Sequence, residues 1–481
     1  MRPPPTTAEY VEMWAARTPH QVALREAGQD LAYARLHHLL RHCALELRRM
    51  GLEPGQRVAV AGPGVGIALV VLLAAEGLGL VTVSFDAEED PDAAWLFDRV
   101  DAVFAGRPQA VPAGVQFRHM DAGFVRRLWQ PLPEAPPDWR PGAWDAPQRI
   151  TRTAGSSGPS KFMLLDRAAQ EWQVRSGDES WPWVLDADTR MLLLMPLLVN
   201  AGYSRVAACL RRGGTVLHGP GAEIAALAPT CVVGLTAQLE RLLRALPADY
   251  RAPRPVTVAA FGAMPPPALR ERLLAVFGGA LVNRYGGNEA GGLCDLDAQG
   301  VGVLRAGVEV RILDEAGRVL PPGEEGVVAV RTPALVQGYL ELPHETAAAF
   351  RDGWFVSADV GMLLGERLLK LLGRHDDLVN LGGIKVPAAR LEVSLRAQPA
   401  ILECAVQAMQ VDDGAVSLGV ALVCAPGATH DVAAAQLRAA LANWSETQVR
   451  VVFVDALPMT TAGKVDRMRL RRLFTNGFAR P

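Results

Sequence analysis

The sequence is short of most features that mark a metalloprotein, a nucleic-acid binder or a membrane protein. Its six cysteines, Cys43, Cys209, Cys231, Cys294, Cys404 and Cys424, are scattered, with no CxxC and no clustered His/Cys ligand spacing. That pattern excludes a zinc framework and implies buried free thiols in a reducing compartment. The formal net charge is only −2, from 49 basic and 51 acidic residues. Broad nucleic-acid binding and electrostatic membrane anchoring are thereby excluded, and any anionic ligand must be met by local placement of charge. The N-terminal MRPPPTTAEY has no apolar core of the signal-peptide kind. The longest apolar run, GIALVVLLAAEGLGLVTVSF from Gly66, is broken by Glu76 and two glycines. It therefore reads as a buried helix followed by a strand, with no membrane span. A soluble cytoplasmic protein is the expectation.

What is present is a long, well-packed chain of 481 residues, half of them apolar, which implies two or more domains. Short apolar runs (RVAVAG, LVTVSF, DAVFAG, RMLLLMP, TVLHG, TCVVGL, VTVAAFG, ALVNRYGG) alternate with amphipathic segments such as 238–246 and 267–276. Strands too apolar to face water, alternating with helices, predict parallel-type sheets covered on both faces, with ligands at the carboxyl ends of the strands. From about residue 300, alternating strands and turn signals such as Pro321-Pro322-Gly323 predict a β-rich subdomain. After GRHDDL at 373–378, roughly a hundred residues of mixed pattern predict a small α+β C-terminal domain. The fold class is thus α/β, and the Pro-rich segment 131–148 reads as a linker or surface loop.

Five stretches look chemical. TAGSSGPSK, 153–161, strings hydroxyls between glycines and ends on Lys161, the groups a polyphosphate needs. It is not a Walker loop, because Gly158 is followed by Pro159 and Lys161 by Phe162. RYGGNEAGG offers an aromatic face, glycines for close backbone approach, and Glu289 as a magnesium ligand. GWFVSADVG places Asp359 in a turn, where a carboxylate accepts both hydroxyls of a ribose. GRHDDLVNLGGIKV sets Arg374, Asp376 and Lys385 around a Gly-Gly pair, and MTTAGKVDR carries Lys464 in another small-residue loop. Each stretch alone is more often structural; their order and spacing make the signal.

On those motifs the whole chain resembles the adenylate-forming superfamily of acyl-CoA and aryl-CoA synthetases, nonribosomal-peptide adenylation domains and luciferase. The resemblance implies that a carboxylate and ATP give an acyl-adenylate and pyrophosphate, after which a thiol captures the acyl group. It implies a large N-terminal domain, 1–374, and a small mobile domain, 375–481, hinged at Asp376. TAGSSGPSK resembles the family's phosphate loop, S/T-S-G-T-T-G-x-P-K, so Thr153, Ser156, Ser157, Gly158 and Lys161 would bind the β- and γ-phosphates. RYGGNE resembles YGxTE, with Tyr285 stacking on adenine, Gly286 beside it and Glu289 holding Mg2+. Gly262, the ribose aspartate Asp359 and Arg374 complete the nucleotide site, and Lys464 matches the lysine that bridges the attacking carboxylate and the α-phosphate. Val199, Asn200, Tyr203, Phe261, Arg284 and Gly287 fall at the acyl pocket, and Gly383 and Lys385 on the side where the thiol enters.

The departures are Ala154 for Ser, Pro159-Ser160 for x-Pro, Ala358 for Gly, Val199 for the His or Phe gate, and Asn288 for Thr, whose amide can still donate to the α-phosphate. No carboxylate lies between Pro196 and Arg205, and Asn200 stands where amino-acid-activating members hold an aspartate, so an α-amino acid is disfavoured. The substrates implied are a small carboxylic acid, ATP with Mg2+, and coenzyme A or the phosphopantetheine of an acyl carrier protein, with CoA favoured. A noncatalytic adenylate-binding scaffold is the alternative, opposed by the presence of both Lys161 and Lys464. Arg284, which precedes YG as in malonate-activating members, either faces inward to a distal polar group of the acid or outward to a neighbouring acidic residue or solvent.

Overall fold

The apolar runs become strands that are covered on both faces; all five residues of Cys231–Leu235 and all four of Val81–Ser84 are buried. The computed structural model describes the chain apart from residues 1–3, 89, 154–159, 176–183, 220–222, 375–377, 382–383, 411–415, 442–448, 460–464 and 477–481. Eight strands form one sheet in the order Gly291–Leu296, Gly278–Gly287, Val256–Phe261, Cys231–Leu235, Arg190–Leu193, Thr215–His218, Val22–Glu26, Gln29–Ala32. Its inner pairings are parallel and only the pair at each edge is antiparallel.

A second sheet runs Gln116–His119, Ala102–Ala105, Arg57–Ala61, Val81–Ser84, Pro147–Arg152, Phe162–Asp166, parallel except for the last pair. The stretch 153–161 is the connection of that antiparallel edge hairpin. Helices Tyr33–Arg49, Val65–Gly77 and Asn200–Arg211 contribute with both sheets to one apolar core. Val65–Gly77 is apolar on every side, as a helix between layers must be, and its one charged residue, Glu76, is buried. Among the described residues no helix is long and apolar enough to cross a membrane.

The expected β-rich region is an antiparallel sheet of Val301–Val303, Leu368–Arg374, Trp354–Leu363, Gly326–Arg331 and Glu309–Leu313. Asp359 lies within one of these strands and not in a turn. The alternation in VSADV is strand-periodic; against Gly326–Arg331 the register is irregular over Val356–Val360, which includes Asp359, and against Leu368–Arg374 it shifts between Val360 and Gly361. Beyond residue 400 the three strands Ile401–Gln410, Val416–Cys424 and Val449–Phe453 carry a separate core with Leu395 and Leu437, while Phe474 packs on Gly419.

The Pro-rich stretch is a strap over the helical layer. Arg41 lies 4.7 Å over the Trp139 ring, and Arg49 Nε donates to Glu134 Oε1 at 3.0 Å. Trp139 Nε1 donates to Glu12 at 2.8 Å, and Arg140 N donates to the Gly77 carbonyl at 2.8 Å. The Trp139 ring lies so close to the helix end that a Cβ on Gly77 would come within 2.6 Å of it. Gly77→Ala is therefore expected to destabilise the fold by about 1–3 kcal/mol through overpacking, read as a lower urea midpoint, whereas Gly114→Ala at an open turn only strains a left-handed backbone.

Candidate active site

The ends of the edge hairpin are zipped where the phosphate loop leaves. Thr153 N donates to the Lys161 carbonyl at 2.9 Å, and Lys161 N donates to Thr153 Oγ1 at 3.0 Å. Thr153 thus closes the base of the loop with its hydroxyl; Ser156, Ser157 and Gly158 lie outside the described residues. Lys161 Nζ sits 4.9 Å over the ring of Tyr339. The Tyr339 hydroxyl donates to Glu289 Oε1 at 3.2 Å, and Val336 N donates to the Glu289 carbonyl at 2.9 Å. One tyrosine that no motif had marked therefore joins the loop lysine to the acidic residue of YGGNE. Burial, and then Glu289, push its phenol above the ordinary range.

Asn288 is engaged in the same place: its Nδ2 donates to the Arg152 carbonyl at 2.7 Å, tying it to the strand end from which the loop departs. Gly286 serves the hairpin before it serves a ligand, because a Cβ there would lie 2.3 Å from the Gly291 carbonyl oxygen. A Cβ on Gly287 would lie 2.9 Å from Glu289 Oε2. Gly262 takes a left-handed φ of 83°, which lets the chain turn away immediately after Phe261 ends its strand.

Asp359 collects the nucleotide-side groups. The Tyr285 hydroxyl donates to Asp359 Oδ2 at 2.6 Å, and Arg374 Nη1 lies 3.5 Å from Asp359 Oδ1. The pairing is set by register, since Asp359 and Arg374 face each other across adjacent strands. Burial, and then Asp359, raise the Tyr285 phenol well above its ordinary value, so it stays a neutral donor.

The acyl-side residues are placed differently from expectation. Asn200 is fully buried; its Oδ1 accepts from Arg149 Nε at 2.9 Å and its Nδ2 donates to Gln173 Oε1 at 2.8 Å. Tyr203 is also buried, donating its hydroxyl to Glu76. Both side chains belong to a polar seam centred on Arg149, which is 1% exposed. The Arg149 guanidinium also donates to Thr82 Oγ1 (3.1 Å), Ser84 Oγ (3.0 Å) and the Leu197 carbonyl (3.1 Å), and it lies 3.9 Å over the Tyr203 ring. Glu76, at 3.8 Å, supplies the countercharge. Val199, the residue preceding the helix Asn200–Arg211, is half-exposed at the gate position, and Phe261 is half-exposed at its strand end.

Arg284 combines the two expected alternatives: it is buried and its partner is a neighbouring acid. Arg284 Nη2 donates to Asp295 Oδ2 at 3.1 Å, across the strand pair Gly278–Gly287 and Gly291–Leu296. Arg305 reaches the same carboxylate at 3.6 Å, and burial, reinforced by Arg284, holds Arg305 down at about 10. Asp376, Gly383 and Lys464 lie outside the described residues, as does the Lys385 side chain; the Lys385 backbone pairs with Asn380.

Sequence reading passed over Arg149, Arg152, Glu76 and Tyr339, because a buried guanidinium in a strand carries no local motif. Removing the Arg149 charge leaves Glu76 buried without its cation. Arg149→Met should cost about 3–5 kcal/mol in urea unfolding, and adding Glu76→Gln should recover part of that loss.

Residues 11–340 match the family described as AMP-binding enzyme. Feruloyl-CoA synthase from Amycolatopsis sp. is 32% identical over 498 residues, covering 96% of this chain and 97% of that protein. Indoleacetate–CoA ligase from Aromatoleum aromaticum is 27% identical, with 97% and 98% covered. The solved structure of ATP-bound MatB from Rhodopseudomonas palustris superposes with a TM-score of 0.83 at 23% identity, covering 98% of this chain and 99% of that one, a likeness of fold. With the matched segment spanning most of the chain and a relative above 30% identity end to end, the protein belongs to the AMP-binding enzyme family, the adenylate-forming ligases its motifs resemble.

Proposed function

We infer that this ligase activates an aromatic carboxylic acid with ATP and passes the acyl group to the thiol of coenzyme A. One observation carries the reading: Lys161 and Glu289, from motifs more than a hundred residues apart, meet at Tyr339. A carboxylate oxygen attacks the α-phosphorus, the bond to the bridging β-phosphate oxygen breaks, and pyrophosphate leaves. The thiolate then attacks the acyl carbon and AMP departs. Lys161 is suited to the departing phosphates, Asp359 with Arg374 to the ribose, and Lys464 to the charge that builds between carboxylate and α-phosphate.

Among the described residues no group of three His, Cys, Asp or Glu side chains could cage a cation. A lone carboxylate such as Glu289 fits Mg2+, which is usually held by one or two protein carboxylates plus substrate phosphates, and the ion would neutralise phosphate charge there. Aromatic acids are favoured because feruloyl-CoA synthase and indoleacetate–CoA ligase both carry aromatic acids in their names. Arg284 already has a protein carboxylate as partner, Asp295, which it shares with Arg305, so a distal carboxylate on the substrate is not required to explain its burial. A phosphopantetheinyl carrier protein is the alternative acceptor, presenting the same thiol. Domain alternation, with 375–481 turning about Asp376, would carry Lys464 away between the half-reactions.

ATP–pyrophosphate exchange across aromatic, fatty and dicarboxylic acids, followed by thioester formation with CoA and with a carrier protein, tests the reading. Exchange with an aromatic acid and capture by CoA are expected; no exchange with any acid would return the chain to the scaffold alternative. Lys464→Ala should slow adenylation by roughly a thousandfold and have far less effect on thiol capture from preformed acyl-adenylate. Lys161→Ala should raise the KM for ATP more than the KM for the acid, and the reverse order would remove Lys161 from the phosphate site.

A further inference from the structure

Arg152 is the last residue of the strand Pro147–Arg152 and stands immediately before Thr153. Its guanidinium forks onto two aspartates: Nη1 donates to Asp90 Oδ1 at 2.7 Å and to Asp92 Oδ2 at 2.9 Å, and Nη2 donates to Asp90 Oδ2 at 2.6 Å. The Asp90 side chain is 0% exposed, and it also accepts the backbone N–H groups of Asp86 and Asp92, each at 3.0 Å. Burial opposes ionisation of Asp90, but Arg152 outweighs it and holds the carboxyl below its ordinary value. With two carboxylates around one guanidinium, Arg152 has no charge to spare for a phosphate. Its effect on nucleotide must therefore come through geometry, and three contacts carry it.

The Arg152 carbonyl accepts the Asn288 amide. Its guanidinium lies 5.6 Å over the ring of Phe162, the residue after Lys161, and Trp95 stacks on the same Phe162 ring at 4.3 Å. Leu340 N donates to the Phe162 carbonyl at 2.7 Å, next to the Tyr339 that spans Lys161 and Glu289. One residue thus touches both ends of the hairpin and YGGNE: its clamped side chain packs on Phe162 and fixes the strand end whose carbonyl holds Asn288.

We propose that Arg152, clamped by Asp90 and Asp92, is a positioning residue for the triphosphate: it holds the loop base and Asn288 in the arrangement that receives ATP. The proposal rests on the adenylation reading above. A bidentate fork on Asp90 with a third bond to Asp92 demands the planar guanidinium, so lysine cannot replace it.

The test uses the full chain and titration calorimetry with ATP and with AMP, alongside thermal melting. Arg152→Gln with Asp90→Asn removes the guanidinium and the fully buried carboxylate together, and the charge that remains, Asp92, has a side chain 16% exposed; Arg152→Lys keeps the charge and loses the fork. Both variants should melt cooperatively, bind ATP about tenfold more weakly, lose less affinity for AMP, and adenylate about a hundredfold more slowly. A folded double variant with wild-type ATP affinity overturns the proposal. Equal losses for ATP and AMP that track a lowered Tm also overturn it, because a purely structural ion pair predicts them. Full rescue by Arg152→Lys overturns the geometric argument. A wild-type chain that binds neither nucleotide overturns the adenylation reading itself, and the positioning role with it.

Discussion

Two guanidiniums on one strand hold the catalytic end of this protein together. Arg149 and Arg152 are three residues apart on Pro147–Arg152, so the two-residue period of a strand sends them to opposite faces. Arg149 reaches into the layer between the sheets, to Glu76, Thr82, Asn200 and the Leu197 carbonyl. Arg152 turns the other way, to Asp90 and Asp92. The same backbone then continues into the phosphate-loop stretch. Asn200 and Leu197 on one side and Asn288 on the other are therefore tied to a single strand, an arrangement that holds groups in register better than loop-to-loop contacts do.

Such anchors are demanding. Burial lowers the Arg149 pKa, with Tyr203 and Glu76 acting against that shift, and a buried ion pair gives little net stability. Its value lies in what happens when one partner is missing, since a lone buried charge is far costlier than the pair. This makes the seam specific: Tyr203 and Asn200 are held by the same charges, and neither is free to adapt to a substrate. On the function proposed above, the acyl pocket would be shaped by what surrounds Val199 and Phe261 rather than by Asn200 and Tyr203.

The economy of lysine points the same way. Of the 49 basic residues only four are lysines, Lys161, Lys370, Lys385 and Lys464, and three of them lie in the motifs. Arginine does the structural work here, forking onto carboxylates and stacking on tryptophans, because its planar donors match those partners.

The sequence by itself determined the fold class, the two parallel-type sheets, the β-rich region and the identity of the motif stretches, because burial on both faces and turn chemistry are written locally in runs such as TCVVGL and Pro321-Pro322-Gly323. It also marked Lys161, Tyr285, Glu289, Asp359 and Arg374, whose local surroundings are unusual. Only the tertiary structure decided that Asp359 sits in a strand opposite Arg374, that Arg284 is matched by Asp295, and that Asn200 and Tyr203 face a buried arginine. The physical reason is common to all of these. Each depends on which side chain from another segment supplies the countercharge or hydrogen-bond partner, and pairing at separations from 11 residues, for Arg284 and Asp295, to 127, for Tyr203 and Glu76, leaves no trace in the spacing of either segment alone.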